Sequence, residues 1–287
     1  MLGLLKNVLQ RKAAPLEQQP QLAPSMWCGL RDATLDGWFQ VDKGVLLEGF
    51  AIGAEDQVLD VGCGDGVATL FAANQGASVI FTDTEADKIE ALGVKVAQTQ
   101  ARAWKGLVSN SVPLPLEDAC ATRVICMEVL EHVDDPRQVM AELVRTGKPG
   151  AQYLISVPAP VGEELQRGIA PASYFQSPNH VRTFSHEAIA ELITDAGLVI
   201  EHRQATGFFW VMNMIFYWAG EKAAGRASEG AVRDHVAVQH NPLMDDWAGL
   251  WGRLLNRPEG RAIKEQLDHF MPKSQVLIAR KPGQEHV

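Results

Sequence analysis

The chain has 287 residues, and its 26 Lys and Arg against 35 Asp and Glu give a formal net charge of −9. With 46% hydrophobic and 21% charged residues, the composition excludes a disordered or fibrous chain. The acidic balance argues against a nucleic-acid partner, because affinity for a phosphate backbone comes from clustered Lys and Arg. The four cysteines, Cys28, Cys63, Cys120 and Cys126, have no paired spacing, so a cytoplasmic protein without disulfides or a zinc site is expected.

The first 24 residues are predicted to precede the folded domain. Residues 1–10 have apolar positions at helical spacing, and residues 13–24 contain three prolines among glutamines. This pattern predicts a short amphipathic helix and an extended linker, and it lacks the length and cleavage site of a signal peptide. The domain is then expected to cover residues 25–287. Basic residues on the helix would suit peripheral contact with the inner face of a membrane; they are Lys6, Arg11 and Lys12.

Beyond the linker, short apolar runs alternate with helical patterns, which predicts a parallel α/β sheet. The predicted strands cover residues 57–61, 78–82, 122–127, 153–157, 198–202 and 275–279. Asp135 before Pro136 and Ser185 before a second apolar pattern predict the starts of two helices. The last two strands are expected to pair antiparallel at the sheet edge. About seventy residues lie between them, so a helical insertion is predicted at about 205–273.

The insertion contains a 12-residue apolar run at 208–219, shorter than the roughly 20 residues that a membrane-spanning helix needs. We expect it to form the buried helix of a cap. In an alternative, its aromatic side chains form an apolar floor for a hydrophobic or lipid-linked acceptor, or contact a membrane surface. These side chains are Phe208, Phe209, Trp210, Phe216, Tyr217 and Trp218.

A glycine-rich turn follows the first predicted strand. Residues 58–66 read VLDVGCGDG, with Asp60 at the end of the strand and glycines spaced G-x-G-x-G. Glycine allows the backbone to approach a ligand closely, and Asp83 at the end of the second strand has a carboxylate suited to ribose hydroxyls. A nicotinamide fingerprint needs G-x-G-x-x-G, but Val67 stands at its third glycine position. The pattern indicates a nucleoside site and disfavours a dinucleotide site.

With this motif the sequence resembles the class I S-adenosylmethionine-dependent methyltransferases, in particular the small-molecule group that includes the ubiquinone-biosynthesis methyltransferases. Residues 113–136 and 147–158 are similar to the fourth and fifth strand segments of that family, and the resemblance covers roughly residues 50–200. It implies a Rossmann-like α/β fold with a seven-stranded, mostly parallel sheet of order 3-2-1-4-5-7-6. It also implies S-adenosyl-L-methionine as the cofactor.

The resemblance assigns cofactor-binding roles along the carboxyl ends of four strands. Asp60 and the turn line the methionine side, Asp83 holds the ribose, and Met127 lies beside the sulfonium. Asn110 stands where the family usually has an aspartate near the adenine, and its carbonyl can still accept a hydrogen bond from the adenine amine. The remaining residues expected at the cofactor are Gly62, Cys63, Gly64, Gly66, Thr84 and Ser111.

Glu128, Glu131 and His132 follow the fourth strand, at the edge where open α/β folds bind ligands. Glu128 and His132 are the candidate catalytic residues, and His132 is expected to take a proton from an acceptor hydroxyl. Alternatively, His132 is a histidine hydrogen-bonded in a loop. In some ubiquinone-pathway relatives this E-V-x-E-H stretch is associated with a divalent metal, but the same letters occur widely in relatives without one, so we expect no metal.

Tyr174, His180 and Arg182 lie in a segment that the family places over the acceptor pocket, and they are the candidate acceptor-binding residues. Arg182 would hold an anionic acceptor, or else pair with a surface carboxylate.

These observations predict a methyltransferase that most readily methylates oxygen of a small-molecule, envelope-glycan or lipid-linked acceptor. Two other classes stay open: a noncatalytic regulatory protein that binds S-adenosylmethionine, and a nicotinamide-dependent oxidoreductase. Affinity for the two cofactors would distinguish them. The sequence does not predict the oligomeric state.

Overall fold

The computed structural model describes residues 24–226 and 241–283, so the predicted N-terminal helix and nearly all of the linker lie outside the described residues. A hairpin of β1 (Val45–Leu47) and β2 (Phe50–Ala51) precedes the main sheet. The seven strands of the main sheet are β3 (Gln57–Val61), β4 (Ser78–Asp83), β5 (Ala103–Val108), β6 (Ala121–Met127), β7 (Gly147–Pro158), β8 (Val199–Thr206) and β9 (Ser274–Arg280).

The strand order is β5-β4-β3-β6-β7-β9-β8, and every neighbouring pair is parallel except the two that involve β9. If the seven strands of the main sheet are numbered 1 to 7 in chain order, this order reads 3-2-1-4-5-7-6, and the last strand is antiparallel. The predicted fold class, strand order and position of the insertion are therefore confirmed.

The helices, in chain order, are α1 (Pro24–Leu35), α2 (Val67–Asn74), α3 (Ala86–Val96), α4 (Pro136–Thr146), α5 (Pro160–Arg167), α6 (His186–Asp195), α7 (Phe208–Ala223), α8 (Pro242–Leu255) and α9 (Gly260–Phe270). Two of their starts confirm the predicted caps. The Asp135 carboxylate accepts hydrogen bonds from the first turn of α4, and the Ser185 hydroxyl accepts one from the backbone of α6. None of the helices in the described ranges has the length and apolar composition that crossing a lipid bilayer demands.

Side chains of the sheet alternate between two cores, as expected for strands covered on both faces. Leu59 and Val61 of β3 pack with α4 and α6, whereas Val58 packs with α2 and α3 on the other face. The residue pattern does not predict β5, because Ala103, Trp104, Lys105 and Val108 are exposed on this edge strand. Without an apolar run, its position depends on pairing with β4.

Helices α7, α8 and α9 form the described part of the insertion and pack with α1. The ring of Phe209 stacks on Trp247 with centroids 6.0 Å apart and an interplanar angle of 14°. The six aromatic side chains of α7 named above are all buried or half-buried. The structure therefore agrees with a buried cap helix and does not show an open apolar floor.

One buried lysine joins the insertion to α1. Lys264 on α9 is 1% exposed, and its Nζ lies 2.7 Å from Asp36 Oδ1 and 3.4 Å from Asp32 Oδ2. It also donates to Asp268, whose other oxygen accepts the N–H groups at the start of α7. Trp251 Nε1 donates to Asp32 at 2.7 Å. Three carboxylates thus share one ammonium in a buried position, where unpaired charge is costly.

Burial raises the pKa of Asp32 to about 6 despite the nearby Lys264. The folded protein therefore holds this proton more tightly than the unfolded chain, and ionising Asp32 above pH 6 costs stability that acidification restores. We expect the free energy of unfolding of the wild type, relative to Asp32→Asn, to rise by roughly 1 kcal/mol from pH 7 to pH 5. Urea unfolding at both pH values measures it. Asp87→Asn, which neutralises an exposed carboxylate on α3, is the control. The prediction is contradicted if the difference in unfolding free energy between the wild type and Asp32→Asn is the same at both pH values.

Candidate functional site

The candidate site lies at the carboxyl ends of β3, β4, β5 and β6, which are neighbours in the sheet. The chain crosses to one side after β3 and to the other at β6, so the connections diverge and leave a crevice at this edge. The glycine turn, Asp83, residues 109–111 and Met127 each follow or end one of these strands. The fold therefore brings all four predicted cofactor segments to one edge.

The glycine turn requires glycine at particular positions. Gly62 has φ +69°, and a Cβ there would lie 2.3 Å from Cγ2 of Val129. Gly64 also has a positive φ, of +50°. Backbone in this region favours glycine. The turn after β3 consequently packs directly against the loop after β6, which carries the candidate catalytic residues.

Asp83 is held against this turn. Its Oδ2 accepts the Gly64 N–H at 2.9 Å, and its Oδ1 accepts the Glu85 N–H at 3.1 Å and lies 3.5 Å from the Thr84 hydroxyl. The side chain is only 4% exposed. A carboxylate has about four acceptor sites, so these bonds fix its position and leave capacity for the ribose hydroxyls.

The other predicted cofactor residues have diverse surroundings. Asp60 is buried, and its Oδ2 accepts hydrogen bonds from the backbone N–H and the hydroxyl of Thr69. These bonds connect β3 to the first turn of α2. Burial raises the pKa of Asp60 to about 6. Asn110 is exposed, and its Oδ1 accepts the Val112 N–H at 3.2 Å. Ser111 is 5% exposed with φ +72°. The buried residues Cys63 and Gly66 and the half-buried Met127 complete this edge.

Glu128 begins the loop after β6 with φ +55°, a backbone conformation that non-glycine residues rarely adopt. Its Oε1 accepts from the Ser156 hydroxyl at 3.0 Å, and its Oε2 pairs with Lys273 Nζ at 2.9 Å. Burial alone would raise the pKa of Glu128, but the charge and hydrogen bond of Lys273 outweigh it and hold the pKa below its usual value. Glu128 is therefore an ionised, paired carboxylate.

Glu131 has the opposite environment. It is fully buried, and neither carboxylate oxygen accepts a hydrogen bond from any other residue within 24–226 or 241–283. Its nearest positively chargeable atom is Nε2 of His132, 3.6 Å from Oε1. Burial, reinforced by the neighbouring Glu128 charge, raises the pKa of Glu131 well above its usual value. A buried carboxyl group without hydrogen bonds is costly and marks a place where another group is expected.

Two imidazoles adjoin Glu131. His132 Nδ1 lies 2.9 Å from the carbonyl oxygen of Asn179 and 3.1 Å from that of Pro178. His180 Nδ1 lies 2.7 Å from Oε2 of Glu163, and the two imidazole rings meet edge to face with centroids 5.0 Å apart. Carbonyls and carboxylates accept hydrogen bonds, so both Nδ1 atoms act as donors, and both Nε2 atoms are on the side away from these partners.

Glu131, His132 and His180 each offer one ligand atom, and these atoms all lie within 4.8 Å of one another. The divalent metal of some ubiquinone-pathway relatives is thus compatible with this chain, because Glu131 would supply an anionic oxygen ligand on giving up its proton to a cation. The three residues would hold the metal, and it would lower the pKa of a bound hydroxyl.

Two of the predicted acceptor residues hold other parts of the site in place. Tyr174 is 3% exposed, and its hydroxyl donates to Glu163 Oε1 at 3.2 Å. Arg182 donates to backbone carbonyls of the loop after β6, those of Leu130, Val133 and Asp134. Of the three predicted acceptor residues, only His180 joins the group around Glu131.

Glu163 and Lys273 also contribute to the site, although no local sequence pattern indicates them. Glu163 lies on α5, directly after β7, and is 2% exposed. Lys273 immediately precedes β9. Because β9 is antiparallel, its amino end lies at the edge where the parallel strands have their carboxyl ends, and this topology is the signal that could have revealed Lys273.

A family model described as a methyltransferase domain matches residues 40–203, which include the glycine turn, Asp83 and the loop after β6. The chain belongs to this family. Its membership confirms the resemblance to the S-adenosylmethionine-dependent methyltransferases, and with it the enzyme class and the cofactor.

Curated relatives point to the same class. The ubiquinone biosynthesis O-methyltransferase of Rickettsia canadensis is 31% identical over 155 residues, which are 50% of this chain and 63% of that protein. The protein of the same name from Klebsiella pneumoniae is 31% identical over 124 residues, 41% of this chain and 49% of that protein. The chain thus spans between about half and three fifths of the length of these relatives.

Solved structures share the fold. The [4+2]-cyclase SpnF has a TM-score of 0.53 at 20% identity, covering 88% of this chain and 82% of that chain. A SAM-dependent methyltransferase from Methanosarcina mazei has a TM-score of 0.51 at 17% identity, covering 81% of this chain and 95% of that chain. At these identities the likeness shows the fold alone, and the cyclase name illustrates that one fold hosts different chemistries.

Asp83→Asn tests the cofactor site. Asparagine keeps an oxygen for the Gly64 N–H but removes the charge that would accept the ribose hydroxyls, so we expect S-adenosylmethionine to bind roughly tenfold to hundredfold more weakly. Isothermal titration calorimetry measures the change. Asp87→Asn makes the same charge change on the exposed surface of α3 and should leave the affinity as it is. Equal affinity of Asp83→Asn and the wild type would remove Asp83 from the cofactor site.

Proposed function

We propose that the protein transfers the methyl group of S-adenosylmethionine to a hydroxyl oxygen of a small, partly apolar acceptor. The observation that carries this proposal is the position of Glu131, His132 and His180 beside the cofactor edge. A hydroxyl must lose its proton to become a strong nucleophile, and these three groups are suited to that task. The Val129 contact with the glycine turn supports their closeness to the methyl donor.

S-adenosylmethionine supplies a methyl carbon that is already electrophilic. The acceptor oxygen forms a bond to this carbon as the carbon–sulfur bond breaks, and the electron pair of that bond stays on sulfur. The protein's main contribution is then to align the acceptor and exclude water, which is worth roughly 7–11 kcal/mol of the barrier in favourable cases. His132 contributes from a fixed orientation, because its Nδ1–H is held by the Pro178 and Asn179 carbonyls and its Nε2 faces Glu131.

Two observations favour an acceptor with apolar character. Trp218 of α7 packs on Tyr174 at 5.3 Å between ring centroids, and Tyr174 in turn packs on His180 at 4.8 Å. The aromatic core of the insertion therefore reaches the candidate site. The 31% identical relatives are named as ubiquinone biosynthesis O-methyltransferases, which favours an aromatic ring hydroxyl over a glycan or a lipid-linked glycan precursor.

Methyl transfer is tested with methyl-labelled S-adenosylmethionine and a lysate of the source cells. We expect label in the organic-solvent extract, because a partly apolar acceptor partitions there. Aqueous or glycan label would contradict the apolar acceptor, and label in the macromolecular fraction would contradict a small one. Gly64→Val, which places a branched side chain at φ +50° in the turn, is the control for nonenzymatic label. Cofactor binding without transfer to any fraction would favour a noncatalytic binding protein instead.

His132→Ala should leave the affinity for S-adenosylmethionine unchanged and slow turnover roughly hundredfold, because it removes a group that acts on the hydroxyl proton. Calorimetry and initial rates separate the two effects. His186→Ala, an exposed histidine at the start of α6, is the matched control. Turnover of His132→Ala at the wild-type rate would exclude His132 from the mechanism.

A further inference from the structure

We propose that Glu131, His132 and His180 bind one divalent transition-metal ion, that Glu163 positions His180 for it, and that Glu128 stays outside the ligand set. The ion's task in methyl transfer rests on the proposed function: with the ion bound, His132 would be a ligand, and the ion would lower the pKa of the acceptor hydroxyl in place of proton uptake by His132. Its binding does not, and it can be measured with neither methyl donor nor acceptor present.

The buried carboxylate is the first support. Glu131 is 0% exposed, and no other residue in the described ranges donates a hydrogen bond to either oxygen. Proteins seldom leave a carboxyl group in this state, and a cation satisfies both its charge and its lone pairs. The ligand atoms of His132 and His180 lie within 4.8 Å of it and of each other. Zinc-type ligand bonds of about 2.0–2.2 Å place ligand atoms up to about 4 Å apart, so modest side-chain rotations close the site.

The hydrogen bonds behind the two imidazoles are the second support. A histidine that binds a metal through one ring nitrogen usually donates the other N–H to a carbonyl or carboxylate, which fixes the tautomer and the ring orientation. His132 does this with the Pro178 and Asn179 carbonyls, and His180 does it with Glu163. Glu163 is itself held by Tyr174 and by Gln166 Nε2, the latter at 3.2 Å. Glu163 is therefore a positioning residue.

Glu128 has its own cation. Lys273 Nζ lies 2.9 Å from Glu128 Oε2, and the Ser156 hydroxyl occupies Oε1. A metal at Glu128 would have to displace this half-buried ammonium, whose pKa the nearby Glu128 charge raises although burial acts to lower it. The proposed ligands thus come from two segments, the loop after β6 and the loop before α6. The E-V-x-E-H stretch alone does not supply them.

The donor set also indicates which metal binds. Two imidazoles and one carboxylate suit Zn²⁺, Co²⁺, Fe²⁺ or Ni²⁺, whereas Mg²⁺ prefers oxygen ligands and retains its waters. Three protein ligands are the number found in catalytic rather than structural zinc sites, because they leave a position for water or substrate. A hydroxyl of the acceptor would occupy that position.

Cobalt is the probe, because its visible absorption reports the ligands without any reaction. Protein dialysed against EDTA is titrated with Co²⁺, and we expect one ion per chain with visible bands. Glu131→Gln and His180→Ala should bind roughly a hundredfold more weakly or worse, and Glu163→Gln about 10–100-fold more weakly. Glu128→Gln and His186→Ala should bind as the wild type does. Mg²⁺ at the same concentration should not displace Co²⁺.

Circular dichroism of each metal-free variant checks folding, and Glu163→Gln keeps the shape of the side chain if His180→Ala does not fold. The proposal is overturned if the wild type binds neither Co²⁺ nor Zn²⁺, or if Mg²⁺ competes on equal terms. It is also overturned if Glu128→Gln weakens binding as much as Glu131→Gln while Glu163→Gln has no effect. Cobalt binding without methyl transfer would contradict the proposed function and leave the metal site standing.

Discussion

The reversal of strand order between β3 and β6 is the constraint on which the site depends. Connections after these two neighbouring strands leave toward opposite faces of the sheet, so a crevice forms between them at this edge. The glycine turn then needs positive φ to enter α2, and the loop after β6 fills the space that a Gly62 side chain would have taken. Cofactor turn and catalytic loop are thus consequences of one topological feature. The antiparallel β9 adds Lys273 to the same edge.

The charged side chain of Arg182 fixes the position of backbone near the candidate site. The guanidinium of Arg182 bonds to three carbonyls between residues 130 and 134, and the Val181 N–H donates to the Glu131 carbonyl at 3.0 Å. These bonds join the loop after β6 to the segment that carries His180. An arginine can do this because its planar group has five donors and never loses its charge at ordinary pH. The relative position of Glu131 and His180 therefore depends in part on Arg182.

Local signals carried much of the fold. The glycine spacing after β3, the apolar runs of the central strands and the Asp135 and Ser185 caps each depend on a few adjacent residues, and they predicted the elements correctly. The strand β5 has no such signal, because most of its side chains are exposed and only its pairing with β4 defines it. Its place in the predicted order came from the family resemblance.

The site was less predictable, because its partners are distant in sequence. Lys273 pairs with Glu128 across 145 positions, and His180 pairs with Glu163 across 17. Neither pair leaves a periodic or spaced pattern in the chain. Arg182 shows the same limit, since no local rule distinguishes a guanidinium that binds an anion from one that binds carbonyls. Residues next to the strand ends were found from their position and His180 from the family resemblance, whereas Glu163 and Lys273, which the topology brings to the site, were not found.

The buried Lys264 cluster has a consequence for how the chain is made. Asp36 and Lys264 are separated by 228 positions, so a ribosome adding about 5–20 residues per second completes the pair roughly 10–45 s after Asp36 is made. Until then α1 lacks both its counter-ion and the Trp251 donor to Asp32. The earliest helix of the described chain is consequently among the last to complete its contacts.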